Sequence, residues 1–232
     1  MKKILVFTAT YNEKENIKKL ITLIFKHCSN ADVLIVDDNS PDKTAEEIEL
    51  LKNEFKNISL IKRDGKLGLD TAHKFAYKYA LDKGYDFLIT MDADLSHDPA
   101  ELTNFISSLE TYPFVIGSRY APGGECLMKG RRLLMSKYGN ILIKLVLRIN
   151  CNEFTTSYRG FDLKKLGSFN LENVKASGYS FFMKTIFEIS KRKIEIKEIP
   201  ITFKDRSQGY SKLPKIEIFR TLLNLFLLIL KK

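Results

Sequence analysis

The sequence predicts an α/β fold: a mostly parallel, twisted sheet with helices on both faces. Three observations carry this. Short apolar, β-branched runs recur along the first half of the chain, stretches with apolar residues three and four apart lie between them, and the runs end in polar turns rich in carboxylates.

The runs come first in the argument. Ile4 to Thr8, Val33 to Val36, Ile58 to Ile61, Phe87 to Met91 and Phe114 to Ile116 each read as a buried strand. Between them, Ile17, Leu20, Ile21 and Ile24, then Ile48, Leu51 and Phe55, then Ala72, Phe75, Ala76, Tyr79 and Ala80 follow the spacing of helices with one apolar face. Alternation of this kind implies right-handed crossovers, with ligands bound at the carboxyl ends of the strands. After Ile116 the pattern changes. A loop with Ala121-Pro-Gly-Gly124 leads into a basic amphipathic stretch from Lys129 to Arg148, a polar segment from Glu153 to Asp162, a helix from about Tyr179 to Lys191, a strand from Ile194 to Phe203 and an apolar helix from Pro214.

The 232 residues allow one large domain, or one domain with an extension. Three cysteines, Cys28, Cys126 and Cys151, form no Cys-x-x-Cys pair, so neither a disulfide framework nor a structural zinc site is expected, and a reducing compartment is the default. The 38 Lys and Arg against 28 Asp and Glu give a net charge of +10, which favours an anionic partner such as nucleic acid, nucleotide phosphate or acidic lipid. The apolar run that follows Met1-Lys2-Lys3 is too short for an export signal, and the stretch around Leu225 to Leu230 is too short to span a bilayer.

Function has its first claim at the strand ends. These carry Thr10-Tyr11-Asn12-Glu13, then Asp37-Asp38-Asn39-Ser40-Pro41-Asp42, then Asp92-Ala93-Asp94-Leu95-Ser96-His97. Adjacent carboxylates at the end of an apolar strand repel one another and are costly to desolvate, so they persist where a cation or hydrogen-bond donors offset that cost. Asp92 and Asp94, two apart in a strand, would share a face and reach a hard divalent ion directly or through water. The competing reading of the Asp37 to Asp42 segment is a turn and helix cap. His27, His73 and His97 share no metal spacing and read as structural or solvent-facing.

Taken together and in order, Ala9-Thr-Tyr-Asn-Glu13, Val36-Asp-Asp-Asn-Ser-Pro-Asp42, Lys66-Leu-Gly-Leu69, Met91-Asp-Ala-Asp-Leu-Ser-His97, Gly117-Ser-Arg-Tyr120 and Ile199-Pro-Ile-Thr-Phe-Lys-Asp-Arg206 resemble glycosyltransferase family 2, and within it the dolichol-phosphate (polyprenyl-phosphate) mannosyltransferases. The resemblance runs from Val6 to about Lys215. It implies a GT-A fold over residues 1–213, with a nucleotide-sugar half (1–117) and an acceptor half (118–213), followed by an apolar helix over 214–232. It implies that Thr10, Tyr11, Glu13, Asp37, Asp38 and Lys66 hold a nucleotide-sugar donor, usually GDP-mannose, with Asp92 close to the ribose. Asp92 and Asp94 would carry Mg²⁺ or Mn²⁺ at the diphosphate. Ser96 stands where the family often has Gln, so no third ligand follows. Arg119, Arg131 or Arg132, Ser136, Arg206 and Lys212 would surround the acceptor phosphate, with Arg119 and Arg206 counted with the catalytic pair.

The implied reaction is an inverting transfer of mannose to a polyprenyl phosphate. That acceptor is already ionised and needs no dedicated base. It places the protein at the cytoplasmic face of a membrane, where apolar and basic residues alternate from Gly117 to Arg148 and a membrane-anchoring subunit or the chain's own helices would supply docking. A sugar-hydroxyl acceptor or another donor such as UDP-glucose stays open; a hydroxyl would require a base, for which Asp205 or Glu153 are the candidates. Processive polysaccharide synthases of the family carry a Trp motif, and this chain has no Trp. A basic lipid- or nucleic-acid-binding module with an inactive transferase fold is the reading from another class; intact Asp38, Asp92, Asp94 and Arg119 speak against it and against nucleic acid as a partner.

Overall fold

The computed structural model describes residues 2–204, 223–226 and 228. Five parallel strands form where the apolar runs stand: β1 (Ile4–Thr10), β2 (Asp32–Asp37), β3 (Ile58–Lys62), β4 (Phe87–Thr90) and β5 (Phe114–Ser118). Between them lie α1 (Lys14–His27), α2 (Thr44–Leu51), α3 (Leu69–Asp82) and α4 (Leu102–Leu109). A short β6 (Glu125–Cys126), α5 (Gly130–Leu147), β7 (Arg159–Asp162), α6 (Tyr179–Lys191), β8 (Ile196–Pro200) and β9 (Thr202–Phe203) follow.

The main sheet runs in the order β3-β2-β1-β4-β7-β5-β8, with β7 antiparallel to both its neighbours. Strand alternation sorts its side chains. Leu5, Phe7, Leu34, Val36, Leu88 and Phe114 face α3 and α6, whereas Ile4, Val6, Val33, Ile35, Phe87 and Ile89 face α1, α2 and α4. Helices therefore cover both faces, as the periodicity predicts. From β1 the chain steps outward through β2 and β3 and then returns to place β4 on the other side of β1. The crevice beyond the carboxyl ends of β1 and β4 is thus a topological switch point.

Four expectations are corrected. The segment from Glu153 to Asp162, read as polar, contains the buried strand β7. The single strand expected over 194–203 is two: Ile201 donates its N–H to the Ser118 carbonyl and accepts from Glu125 N–H, so the chain leaves the main sheet there and β9 pairs with β6. Helix α2 stops at Leu51, and Phe55 reaches the core from a turn by stacking on Phe25 at 4.8 Å. In α5 only Asn140, Ile143 and Leu147 are buried; Leu134, Met135, Tyr138, Ile141, Leu142 and Leu145 are all exposed, so the helix packs by a narrow face and is apolar well beyond it. Of the C-terminal helix only 223–226 and 228 are described. Residues 223–226 are helical, and Leu225 and Leu228 join the core while Leu223 and Phe226 are exposed.

One buried group makes this core sensitive to pH. His73 of α3 sits edge-on between Phe7 and Phe182, each ring 5.1 Å away, and also faces Phe181. Burial, reinforced by the positive charge of Arg159, lowers its pKa to about 3. The unfolded chain takes up a proton near pH 6.5 that the native one refuses, so His73 withdraws stability as the pH falls from about 6.5 towards about 3. Unfolding free energy measured by urea titration should fall by as much as about 1.4 kcal/mol per pH unit on acidification from this group alone, and His73→Leu should flatten that slope between about pH 6.5 and about pH 5.

Candidate active site

The donor side of the crevice is built from the loops after β1, β2 and β3. Thr10 and Asp37 are register partners on β1 and β2, and the Thr10 hydroxyl donates to Asp37 Oδ1 at 2.8 Å. Ser40 adds its hydroxyl (2.6 Å) and its N–H (2.9 Å) to the same carboxylate. With 1% exposure and three donors, Asp37 supports the loop from below. Thr10 is also buried. Asp38 is held by the guanidinium of Arg63, which also donates to Thr71 Oγ1 (2.6 Å) and the Gly68 carbonyl (3.3 Å). Arg63 was not singled out from sequence. Its signal was its place at the end of the third strand, just before the Lys66-Leu-Gly turn.

Tyr11 and Lys66, from different loops, do meet: the ammonium lies 4.3 Å from the centre of the exposed ring. Glu13 is half-buried, and its carboxylate accepts from Asn16 Nδ2 at 2.7 Å. The loop carrying it is stitched to the next one by Asn12 N–H to Ser40 Oγ, Glu13 N–H to Thr44 Oγ1 and Lys14 N–H to Asp42, each at 3.0 Å.

Strand β4 ends at Thr90, so alternation along a strand does not place Asp92 and Asp94; a turn does, with Leu95 in the left-handed region at φ 62°. Asp94 is buried and accepts from Ser96 N–H (3.1 Å) and Ser96 Oγ (2.6 Å). Asp92 is one-third exposed. Its N–H donates to His97 Nδ1 at 3.0 Å, which leaves the proton of the neutral ring on Nε2, donating to Thr156 Oγ1 at 3.2 Å. Burial holds His97 below its usual pKa. Ser157 Oγ donates to Asp92 Oδ1, while Asp92 Oδ2 lies 3.9 Å from a ring nitrogen that carries no proton. Among the described residues nothing donates to Oδ2. A carboxylate oxygen open at the mouth beside a second carboxylate fits a hard divalent cation, although no group of three or more His, Cys, Asp or Glu side chains converges among the described residues.

On the acceptor side, Arg119 follows β5. Its Nε and Nη2 bind Glu153 bidentately at 2.6 and 2.7 Å, and Nη2 reaches Thr155 Oγ1 at 2.7 Å. Glu153 is fully buried. Burial pushes its carboxyl up, but the Arg119 charge and hydrogen bonds with those of Thr155 outweigh this and hold it below the usual range. A base needs a lone pair within reach of a substrate proton, so Glu153 is removed as a candidate base.

A cavity of about 300 Å³ opens beside this pair, lined by Arg119, Tyr120, Ala121, Gly124, Lys137, Asn140, Ile141, Lys144 and Asn152. Lys144 is held by Asn152 Oδ1 at 2.7 Å, and Lys137 is exposed with no ion pair or hydrogen bond among the described residues. Ser136 is tied to the Tyr120 hydroxyl at 2.8 Å. Arg131 and Arg132 stand on the first turn of α5 and do not line the cavity; Arg206, Lys212 and Asp205 lie outside the described residues.

A family model described as glycosyl transferase family 2 matches residues 5–168. Over 212 residues the chain is 32% identical to an undecaprenyl-phosphate mannosyltransferase of Micrococcus luteus, covering 91% of this chain and 87% of the relative. It is 33% identical over 214 residues to a polyprenol monophosphomannose synthase of Mycolicibacterium smegmatis, covering 90% and 80%. Two solved structures share its fold: a mannosyltransferase from Pyrobaculum calidifontis in complex with GDP-Man and Mn²⁺ (TM-score 0.63, 18% identity, 99% of this chain and 64% of that one), and glucosyl-3-phosphoglycerate synthase from Mycobacterium tuberculosis (TM-score 0.68, 14% identity, 98% and 80%). The fold is thus the GT-A fold of nucleotide-sugar transferases.

The buried pair should dominate local stability. Arg119→Met strands an unpaired carboxylate and should lower the unfolding free energy by about 3–5 kcal/mol, whereas Arg119→Met combined with Glu153→Met should lose much less, as read by urea denaturation.

Proposed function

The chain belongs to glycosyl transferase family 2, and from that premise we propose that this glycosyltransferase moves mannose from GDP-mannose to a polyprenyl phosphate, with inversion at the anomeric carbon and a divalent metal at the donor diphosphate. Two relatives about one-third identical over nine-tenths of the chain are named for mannose and a polyprenyl phosphate. The observation that carries the acceptor class is the cavity beside Arg119: among the described residues its lining offers three cations and no carboxylate or histidine. A sugar hydroxyl needs a base there; an ionised phosphate monoester needs only positioning and positive charge.

In this reading Tyr11 and Lys66 at the mouth, with Glu13 and Asp38 behind them, receive the nucleoside, while Thr10 and Asp37 hold their loops in place. Asp92 and Asp94 would hold Mg²⁺ or Mn²⁺, which neutralises charge on the departing diphosphate. A phosphate oxygen of the acceptor attacks the anomeric carbon, the bond from that carbon to the diphosphate oxygen breaks on the opposite face, and no proton is transferred. Arg119, Lys137 and Lys144 steady the acceptor phosphate. The exposed Leu134, Tyr138, Ile141 and Leu145 of α5 continue from the cavity rim, and with Arg131, Lys137 and Arg148 they suit an anionic membrane surface at which the lipid tail stays. No helix among the described residues is long and apolar enough to cross a membrane.

Radiolabelled GDP-mannose, with UDP-glucose in parallel, is offered with a short polyprenyl phosphate. Organic-extractable label is expected from GDP-mannose only and should vanish with EDTA; label from UDP-glucose, or transfer that survives EDTA, overturns the donor or metal assignment. Asp92→Ala and Asp94→Ala should each lower kcat by about 10²–10³-fold, the scale of losing one preorganised charge-stabilising group. Lys137→Ala should raise the acceptor KM about tenfold, the equivalent of one charge-assisted hydrogen bond.

A further inference from the structure

We propose that residues 153–157 form a single positioning element shared by the donor and acceptor half-sites, locked from beneath by Arg159. The inference rests on the reading of Asp92 as a metal ligand and Arg119 as an acceptor-phosphate residue.

Five consecutive residues face two ways. At one end Glu153 grips Arg119 bidentately and Thr155 Oγ1 accepts a further bond from it. At the other end Ser157 Oγ donates to Asp92 Oδ1, and Thr156 fixes His97, the acceptor of the Asp92 N–H. The Cα atoms of residues 153 and 157 are at most about 14 Å apart along the chain. Group transfer requires reacting atoms about 3–3.5 Å apart, so a segment that sets both charges sets the relative place of the two substrates.

The segment is itself held rigidly. Glu153 Oε1 gathers the N–H groups of Thr155 and Thr156, Asn140 Oδ1 accepts from Phe154 N–H at 2.7 Å, and Thr90 Oγ1 donates to the Ser157 carbonyl. Arg159 completes the lock: Nε donates to the Thr156 carbonyl at 2.9 Å and Nη2 to the Phe154 carbonyl at 3.2 Å. Its guanidinium lies over the Phe182 ring at 4.9 Å and is almost fully buried; among the described residues it has no carboxylate partner, and its buried Nη1 has no hydrogen bond. An apolar side chain of similar volume would avoid that desolvation, so packing alone does not account for an arginine here. What the guanidinium supplies is two fixed donors under the carbonyls of the shared segment.

The test measures binding rather than turnover. Mn²⁺ affinity is read by calorimetry in the presence of GDP, and affinity for a short polyprenyl phosphate is read separately. Ser157→Ala should weaken Mn²⁺ about tenfold, the scale of losing a hydrogen bond to a metal ligand, with acceptor affinity unchanged within about twofold. Glu153→Gln should do the reverse. Arg159→Met should weaken both, and Arg159→Lys should recover part of each loss. The proposal is overturned if Arg159→Met lowers the melting temperature while both affinities stay at wild-type values, or if Ser157→Ala and Glu153→Gln leave their own sides untouched. Should Arg159→Met not fold, the opposed responses of the Ser157 and Glu153 variants decide. A wild-type protein that binds both ligands yet moves no mannose would defeat the functional reading and leave this one standing; one that binds neither would defeat both.

Discussion

The arrangement of the site depends on the bidentate pair of Arg119 and Glu153. A carboxylate with no solvent access is tolerated only when its oxygens are filled, and here the guanidinium fork, the Thr155 hydroxyl and two backbone N–H groups fill them. The pair joins the exit of β5 to the segment that leads into β7. Because β7 runs antiparallel between β4 and β5, the chain must approach it from the carboxyl ends of the parallel strands. Residues 153–158 are therefore laid across the top of the sheet by topology, and the buried pair fixes how they lie.

Burial then sorts the remaining carboxylates. Asp37 is saturated by Thr10 and Ser40 and works under the surface; Asp38 is neutralised by Arg63; Asp94 is buried against Ser96. Asp92 alone of these four combines substantial exposure with an oxygen that receives no donor among the described residues. Sequence neighbours of the same residue type thus differ in chemical availability, and the difference lies in which donors the surrounding loops bring.

That sorting could not be read from sequence, although much else could. The five parallel strands and the helices between them follow from apolar runs and three-four spacing, since tertiary packing there agrees with local pattern. Strand β7 was hidden because Arg159 and Asp162 break its apolar reading; it is buried all the same, with the Arg159 donors turned onto carbonyls and Gly160 leaving room for Leu109 and Phe105, whose side chains would sit 3.0–3.1 Å from an added Cβ. Candidates at strand ends lie together because a switch point gathers them. Partners such as Arg63, His97 and Ser157 left no periodic trace, since each acts through side-chain hydrogen bonds whose geometry is set by loops. Lys137 and Lys144 stood out only as members of a basic run until the cavity separated them from Arg131 and Arg132.

Backbone conformation shows where the fold gives up stability for this placement. Asn12, Asn39 and Leu95 all have positive φ, and all three lie in loops that leave β1, β2 and β4 at the switch point. Asn tolerates the left-handed region, so the first two are inexpensive; Leu95 is the strained one, at a cost on the order of 1 kcal/mol. Its neighbours offset it, because the same turn lets Ser96 donate twice to Asp94 and lets His97 fold back onto the Asp92 N–H. A relaxed turn at residue 95 would release those bonds together. The unfavourable conformation persists because it is the one in which a buried aspartate is satisfied and its partner two residues earlier keeps an open oxygen at the mouth of the crevice.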